Sequence, residues 1–264
     1  MIVKKPKIVV YTAIFNNYDW LKEPVFPSPE IDFICYTDSD KLISKQWKIV
    51  KIDLGNESPS LKNREIKLLY PYTMLQDYDY SLYVDGSIMI KGKVQEFLSK
   101  YLHGKPLYNF QHPDNDCIFL EINNCINEGR GNAEKLKLQF ERYKAEGTPE
   151  HYGLSDNKII LRANHNTLGK QIMFEWYNEV VNYSGRDQVC LSYVLYKHGL
   201  HYNFFDENIE NNPYFETWPH NRDGKVQIWW RKLKWFFEKR GILTGFFKVL
   251  DNKLKPLFLK YYVK

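Results

Sequence analysis

The apolar positions of this chain fall into short, unbroken runs separated by stretches with helical spacing. Lys7 to Ile14 is β-branched and uninterrupted, the pattern of a strand buried on both faces. Asp32 to Asp38 predicts a second strand and Trp47 to Ile52 a third, while Phe15 to Asp19 reads as a loop. Leu61 to Leu75 has Ile66, Leu69 and Leu75 near helical spacing, with a kink expected at Pro71. Tyr80 to Ile90 contains a central strand around Leu82–Val84, and Lys105 to Phe110 and Lys158 to Arg162 add two more. Helices are predicted over Ala133–Lys144, Lys170–Val181 and Asp187–Lys197. Strands alternating with helices imply an α/β sandwich with a mainly parallel sheet.

Ligands of such sheets bind beyond the carboxyl ends of the strands. Three predicted strands end in polar clusters: Thr12 with Asn16 and Asn17, Thr37 with Asp38, and Asp85 with Ser87. If the strands are neighbours, the clusters share one crevice. Asp85, a carboxylate at the mouth of an apolar strand, suits a divalent cation and the diphosphate it bridges. Asp85-Gly86 reads equally well as a tight turn closing a hairpin. Arg64 and Lys67, three apart on a predicted helix, can present two cations on one face, or form an ordinary solvated one.

Composition narrows the class. The 264 residues are 44% hydrophobic and 26% charged, enough apolar material for one domain with an appendage. The four cysteines lie far apart with no C-x-x-C pair, and Cys35 and Cys190 fall in apolar runs; this fits buried thiols in a reducing compartment. No signal peptide is recognised at Met1, and no run of 18 apolar residues is present. No G-x-G-x-x-G follows the first strand, and no P-loop or G-x-S-x-G pattern occurs, which argues against dinucleotide, ATPase and lipid-hydrolase readings.

Charge divides the chain near Asp223-Gly224. Residues 225–264 hold eleven Lys or Arg against Glu238 and Asp251, a net of +9. The whole chain is +5, so residues 1–224 carry −4. The tail interleaves its cations with Trp229, Trp230, Trp235 and several Phe and Tyr, broken at Gly241 and Gly245. This predicts interfacial helices on an anionic membrane, as a segment distinct from a body over 1–224. Packing on the body and a nucleic-acid patch are the other readings of such a tail. The acidic body argues against nucleic acid as a partner.

The chain resembles the glycosyltransferase-like family once known as domain of unknown function 616. That family includes plant proteins of pectin and seed-mucilage synthesis and small bacterial members. The resemblance rests on Tyr11-Thr12-Ala13-Ile14-Phe15-Asn16-Asn17-Tyr18-Asp19, Phe33 to Asp38, Lys62-Asn63-Arg64 with Lys67 and Pro71, and Tyr83-Val84-Asp85-Gly86-Ser87. His112-Pro113, Cys117-Ile118, Glu121, Glu146-Gly147, Gly153-Leu154, Arg162, His165-Asn166, Trp176 and Arg186-Asp187-Gln188 extend it over roughly residues 7–200. It implies a GT-A-like fold and an enzyme that transfers a sugar, hexosyl or uronosyl, from a nucleotide donor, expected to be a UDP-sugar.

Roles follow from that resemblance. Thr12, Asn16 and Asp38 are expected at the nucleoside, and Arg64 and Lys67 at the diphosphate. Asp85 is expected to hold Mn²⁺ or Mg²⁺. The Asp-x-Asp of many GT-A enzymes is here Asp85-Gly86-Ser87, with one carboxylate, so His165 is the candidate second metal ligand. Asp187, beside Arg186, is the candidate general base or a stabiliser of an oxocarbenium-like centre, and also suits a helix cap; His112 is expected on the acceptor side. The acceptor implied is a glycan or lipid-linked glycan in surface polysaccharide synthesis. The chain is expected in the cytoplasm, peripheral on the inner face of the membrane. A non-catalytic nucleotide-sugar-fold scaffold at the membrane is the alternative.

Overall fold

The computed structural model describes residues 5–221 except positions 27 and 54. The tail segment predicted over 225–264 lies outside the described residues. Among the described residues the central sheet has six strands in the order β3-β2-β1-β4-β7-β6: β1 (Ile8–Ile14), β2 (Ile31–Thr37), β3 (Lys48–Lys51), β4 (Tyr80–Val84), β6 (Leu107–Gln111) and β7 (Ser155–Ala163). β1 to β4 are mutually parallel, whereas β7 runs antiparallel to both β4 and β6. This is the expected α/β layout with a mainly parallel sheet.

Every residue of β1 is buried, as a strand between two partners and two covered faces must be. Its odd positions, Val9, Tyr11 and Ala13, join a core with α1 (Pro59–Thr73), α3 (Ile118–Asn127), α4 (Ala133–Ala145), α5 (Thr167–Asn182) and α6 (Leu191–Lys197). Its even positions, Ile8, Val10 and Ile14, face a second core under α2 (Val94–Ser99) and the small ribbon of β5 (Ile88–Ile90) with β8 (Phe215–Thr217). The predicted elements are present with shifted ends, except that the helix expected over Asp187–Lys197 is a 3-10 turn at Asp187–Val189 followed by α6. α2, α3, β5 and β8 are additional, because two of them are too short to show a period and β5 continues the apolar run of β4. Ile88 N–H bonds Asp85 C=O at 2.9 Å, so the Asp-Gly turn exists, but it joins two different sheets and closes no hairpin.

Pro71 falls in the last turn of α1. Having no N–H, it cannot donate to the carbonyl of Lys67 four residues earlier. That oxygen is taken over by Tyr11 Oη at 2.8 Å and Arg162 Nη2 at 2.7 Å. Arg162 is fully buried on β7, donates from Nη1 to Tyr11 Oη at 2.8 Å, and rests Nε on the Met173 sulfur at 3.1 Å. One proline thus couples α1, β1 and β7 through a single carbonyl.

Arg162→Met should leave that carbonyl and the Tyr11 hydroxyl short of donors inside the core. We expect a loss of about 2–3 kcal/mol in urea unfolding, while Pro71 variants act at the same oxygen and should not add to it.

Candidate active site

A cleft of about 850 Å³ opens at the carboxyl ends of β1, β4 and β6. Because β7 is antiparallel, its amino end lies at that same edge, where Asp85 N–H bonds Lys158 C=O at 2.7 Å. Asp156, Asn157 and Lys158 therefore line the cleft beside Asp85 and Ser87. α1 begins at the rim, with Ser58 as its N-cap and Pro59 in its first turn. Its Ser60, Asn63, Arg64 and Lys67 form one helical stripe along the wall. Asn63 Nδ2 ties this stripe to the Ala13 carbonyl at 2.9 Å and to Tyr83 Oη at 3.1 Å.

Asp187 organises the charge. It is buried, hydrogen-bonds Lys67 Nζ, and lies 3.3 Å from Arg64 Nη2. Burial pushes its carboxyl up, but Arg64, Lys67 and Arg186 outweigh that and hold it well below the ordinary carboxylate range. Its backbone is fixed as well: Trp176 Nε1–H donates to Asp187 C=O at 2.8 Å. Such a carboxylate has little affinity for a proton, so the expected general-base role of Asp187 is corrected. It is an anionic clamp that aims two cations.

Asp85 is half-buried. Its Oδ1 accepts from Ser87 N–H and Ser87 Oγ, each at 3.0 Å. Burial again pushes the carboxyl up, and Lys67, the Ser87 amide and Arg64 bring it net below its ordinary value. On its other side, Asp19 is buried and paired with His220 Nδ1 at 2.9 Å. Gly86 admits Asp19 this closely because it has no side chain: a Cβ there would meet Asp19 Oδ2 at 2.9 Å. Lys22 is buried, its Nζ donating to Gly86 C=O at 2.6 Å. Burial lowers its pKa to about 8, with Asp19 and Asp85 acting in the opposite direction.

Asn16 lines the cleft in a left-handed conformation (φ 52°), and Asp38 accepts its N–H at 3.0 and 3.2 Å. Asp38 does not itself line the cleft; it shapes the loop that does. Thr12 is corrected. It is buried in mid-strand on the row of Val10 and Ile14, and its Oγ1 has no partner among the described residues, so it does not reach a nucleoside. Two of the three strand tips therefore converge, and the third acts through Asp38. His112 lines the cleft with Nδ1 accepting from the Asp114 and Asn115 amides, both at 3.2 Å. Arg186 lines it too.

His165 is also corrected. It follows β7 and lies 3.7 Å from Asp79, which precedes β4. Asp79 and Asp85 bracket a five-residue strand, so the ends are about 20 Å apart, and the imidazole cannot share a cation with Asp85. Among the described residues no group of three His, Cys, Asp or Glu could hold a metal ion. The donor set at Asp85 is one turn-bound carboxylate and a second one across Gly86. Mg²⁺ at a diphosphate takes one or two carboxylates together with the phosphate oxygens, a requirement that Asp85 can meet.

Asp19, Ser58, Arg130, Asp156, Lys158, Glu210 and His220 line the cleft but were not singled out as site residues in the sequence. Only Asp19 carried a signal, closing the Asn16-Asn17-Tyr18-Asp19 motif.

The TOD1/MUCI70 glycosyltransferase-like domain model matches residues 33–217, well over half of the chain. The chain belongs to this family. It is 22% identical over 214 residues to the Arabidopsis thaliana protein named probable hexosyltransferase MUCI70, covering 71% of this chain and 37% of that protein. The chain thus spans little more than a third of that relative's length. Among solved structures it is similar to the apo WbbM bifunctional glycosyltransferase (TM-score 0.48, 11% identity, 76% of this chain and 39% of the other). It is also similar to apo mouse xyloside xylosyltransferase 1 (TM-score 0.47, 9% identity, 75% and 84%).

Asp187→Asn keeps the shape of the clamp and removes its charge, leaving Lys67 buried without its hydrogen-bonded counter-ion. A loss of about 3–5 kcal/mol is expected near neutral pH. The unfolded carboxyl titrates near 4, so the stability it supplies is complete above that pH and is lost as pH falls toward the depressed folded value. The variant should lack this acid-limb slope in urea titrations at stepped pH.

Proposed function

We propose that this protein is a glycosyltransferase that moves a hexosyl unit from a UDP-sugar to a glycan or lipid-linked glycan. The observation that carries the reading is the Arg64–Asp187–Lys67 clamp on the wall of a cleft large enough for a nucleotide sugar. Family membership supports it. Arg64 Nε and Arg186 Nε are buried and have no hydrogen-bond acceptor among the described residues, although both side chains line the cleft. Buried donors of this kind call for an acceptor, and diphosphate oxygens supply several.

In this reading the acceptor hydroxyl attacks the anomeric carbon, its bond to the diphosphate oxygen breaks, and the electron pair leaves on the nucleotide. Arg64 and Lys67, pre-aimed by Asp187, face the oxygen on which that charge develops; Arg186 and Lys158 extend the field. The start of α1 at the rim adds the positive end of a helix dipole. The second oxygen of Asp85 accepts a hydroxyl of the donor. The acceptor proton goes to a carboxylate less tightly held than Asp187; Asp114 and Glu210 line the cleft and have no ionic partner among the described residues. The basic, aromatic sequence of 225–264 brings the enzyme to an anionic membrane surface where a lipid-linked acceptor resides.

UDP binding and UDP-sugar turnover test the core of this. Arg64→Gln should weaken UDP binding about tenfold, ~1.4 kcal/mol, and reduce turnover by about 10²-fold or more. A wild-type protein that binds no UDP, or an Arg64→Gln variant indistinguishable from it, would refute the proposal. For the tail, deleting 225–264 should abolish co-flotation with anionic vesicles, and added salt should weaken co-flotation of the full chain.

A further inference from the structure

We propose that His112 is a fixed hydrogen-bond donor to the transferred sugar: its ring proton is held on Nε2, and that N–H meets a hydroxyl oxygen of the hexose lodged between it and Asp85. The inference rests on the nucleotide-sugar reading of the cleft and names a residue that reads the sugar.

The tautomer follows from the loop. Nδ1 of His112 accepts the Asp114 and Asn115 amide hydrogens, both at 3.2 Å. Two N–H groups aimed at one ring nitrogen leave no place for a proton on it, so the neutral ring carries its hydrogen on Nε2. That nitrogen has no partner among the described residues, although the side chain lines the cleft. The backbone around the ring is tied down. His112 N–H bonds Leu154 C=O at 2.9 Å, Gly153 N–H bonds Asp116 C=O at 2.9 Å, and Asn115 Oδ1 accepts Cys117 N–H at 2.8 Å. Pro113 adds a fixed φ. A donor held in this way meets its acceptor with little reorganisation.

The position suits a sugar. Along β7 and the residue before it, Lys158 C=O holds the Asp85 amide and Leu154 C=O holds the His112 amide. Four residues of extended chain separate those carbonyls, about 13 Å, which leaves room for one hexose ring between the two side chains. Arg64 and Lys67 stand on α1, which is tied to β1, whereas His112 follows β6, two strands beyond β4 on the other side. With the nucleoside at the Asn16 loop and the diphosphate at Arg64, Lys67 and Asp85, the sugar extends toward His112. A nitrogen that already carries hydrogen takes no proton from the acceptor, so that step stays with a carboxylate.

The test uses the full chain, imidazole ¹⁵N resonances at pH 8, and calorimetry with UDP, UDP-glucose and UDP-galactose. The His112 signals, identified by their loss in His112→Asn, should show the Nε2–H tautomer. The Nε2 resonance should move when a UDP-hexose is added and stay in place with UDP. His112→Asn keeps an acceptor for the two loop amides and lacks the distal N–H; at least one UDP-hexose should bind it about fivefold more weakly than wild type. His112→Gln carries an amide N–H where Nε2 stood and loses the loop acceptor; it should keep most of the sugar affinity. A hydrogen on Nδ1 would overturn the proposal. So would a folded His112→Asn variant that binds both UDP-hexoses as wild type does, or a folded His112→Gln variant weakened as much as His112→Asn. If the variants do not fold, the wild-type tautomer and the sugar-dependent shift decide. If the wild type binds no UDP at all, the donor reading fails, while the nucleotide-free tautomer still judges where the His112 proton is held.

Discussion

Because Pro71 has no amide hydrogen to give, the carbonyl of Lys67 has to find its donors outside its own helix, and it finds them on two strands. Tyr11 and Arg162 converge on that oxygen from β1 and β7, so the height and rotation of α1 against the sheet are set at the residue whose side chain enters the cleft. A buried guanidinium is costly unless its donors are used. Here they reach a carbonyl, a hydroxyl and a thioether, while the carboxylate of Asp187 stays with Lys67 and Arg64. The core network and the site network are joined through the two ends of one lysine.

The site itself is a balance of fixed charges. Asp187 is held by Arg64, Lys67 and Arg186, and Asp85 by Lys67 and Arg64. Each carboxylate keeps buried cations ionised and aimed, and the cations in turn keep both acids deprotonated. Removing a member of such a set exposes the desolvation cost of the others. This is why stability and donor binding should respond together at Asp187, and why a proton-transfer role belongs to acids with fewer partners.

The direction of β7 decides which residues belong to this balance. Entering the sheet against β4, it brings Asp156 and Lys158 to the cleft and carries His165 away from it. Were β7 parallel to β4, the two ends would be exchanged and His165 would lie near Asp85. The loop after β1, with Asn16 and Asn17 both at positive φ, then turns Asp19 and Lys22 in toward Gly86.

Local pattern was enough for the elements and for part of the site. β-branched runs marked the strands of the sheet, and Cys35 and Cys190 are buried and free, as their place in apolar runs implied. The one-face spacing of Arg64 and Lys67 and the strand-end position of Asp85 put all three in the cleft. What local pattern does not encode is which strand lies beside which and in what sense, since backbone pairing is non-local and one row of alternating residues fits either direction. Thr12 read as a polar tip but lies on an inward row, and Asp187 read as a base until its cations were in view. Lys22 is separated from Gly86 by 63 intervening residues, and no spacing rule joins them. The sequence alone settled what each segment is, and the tertiary structure decided which charges meet, because only packing across the sheet brings distant side chains within hydrogen-bonding reach.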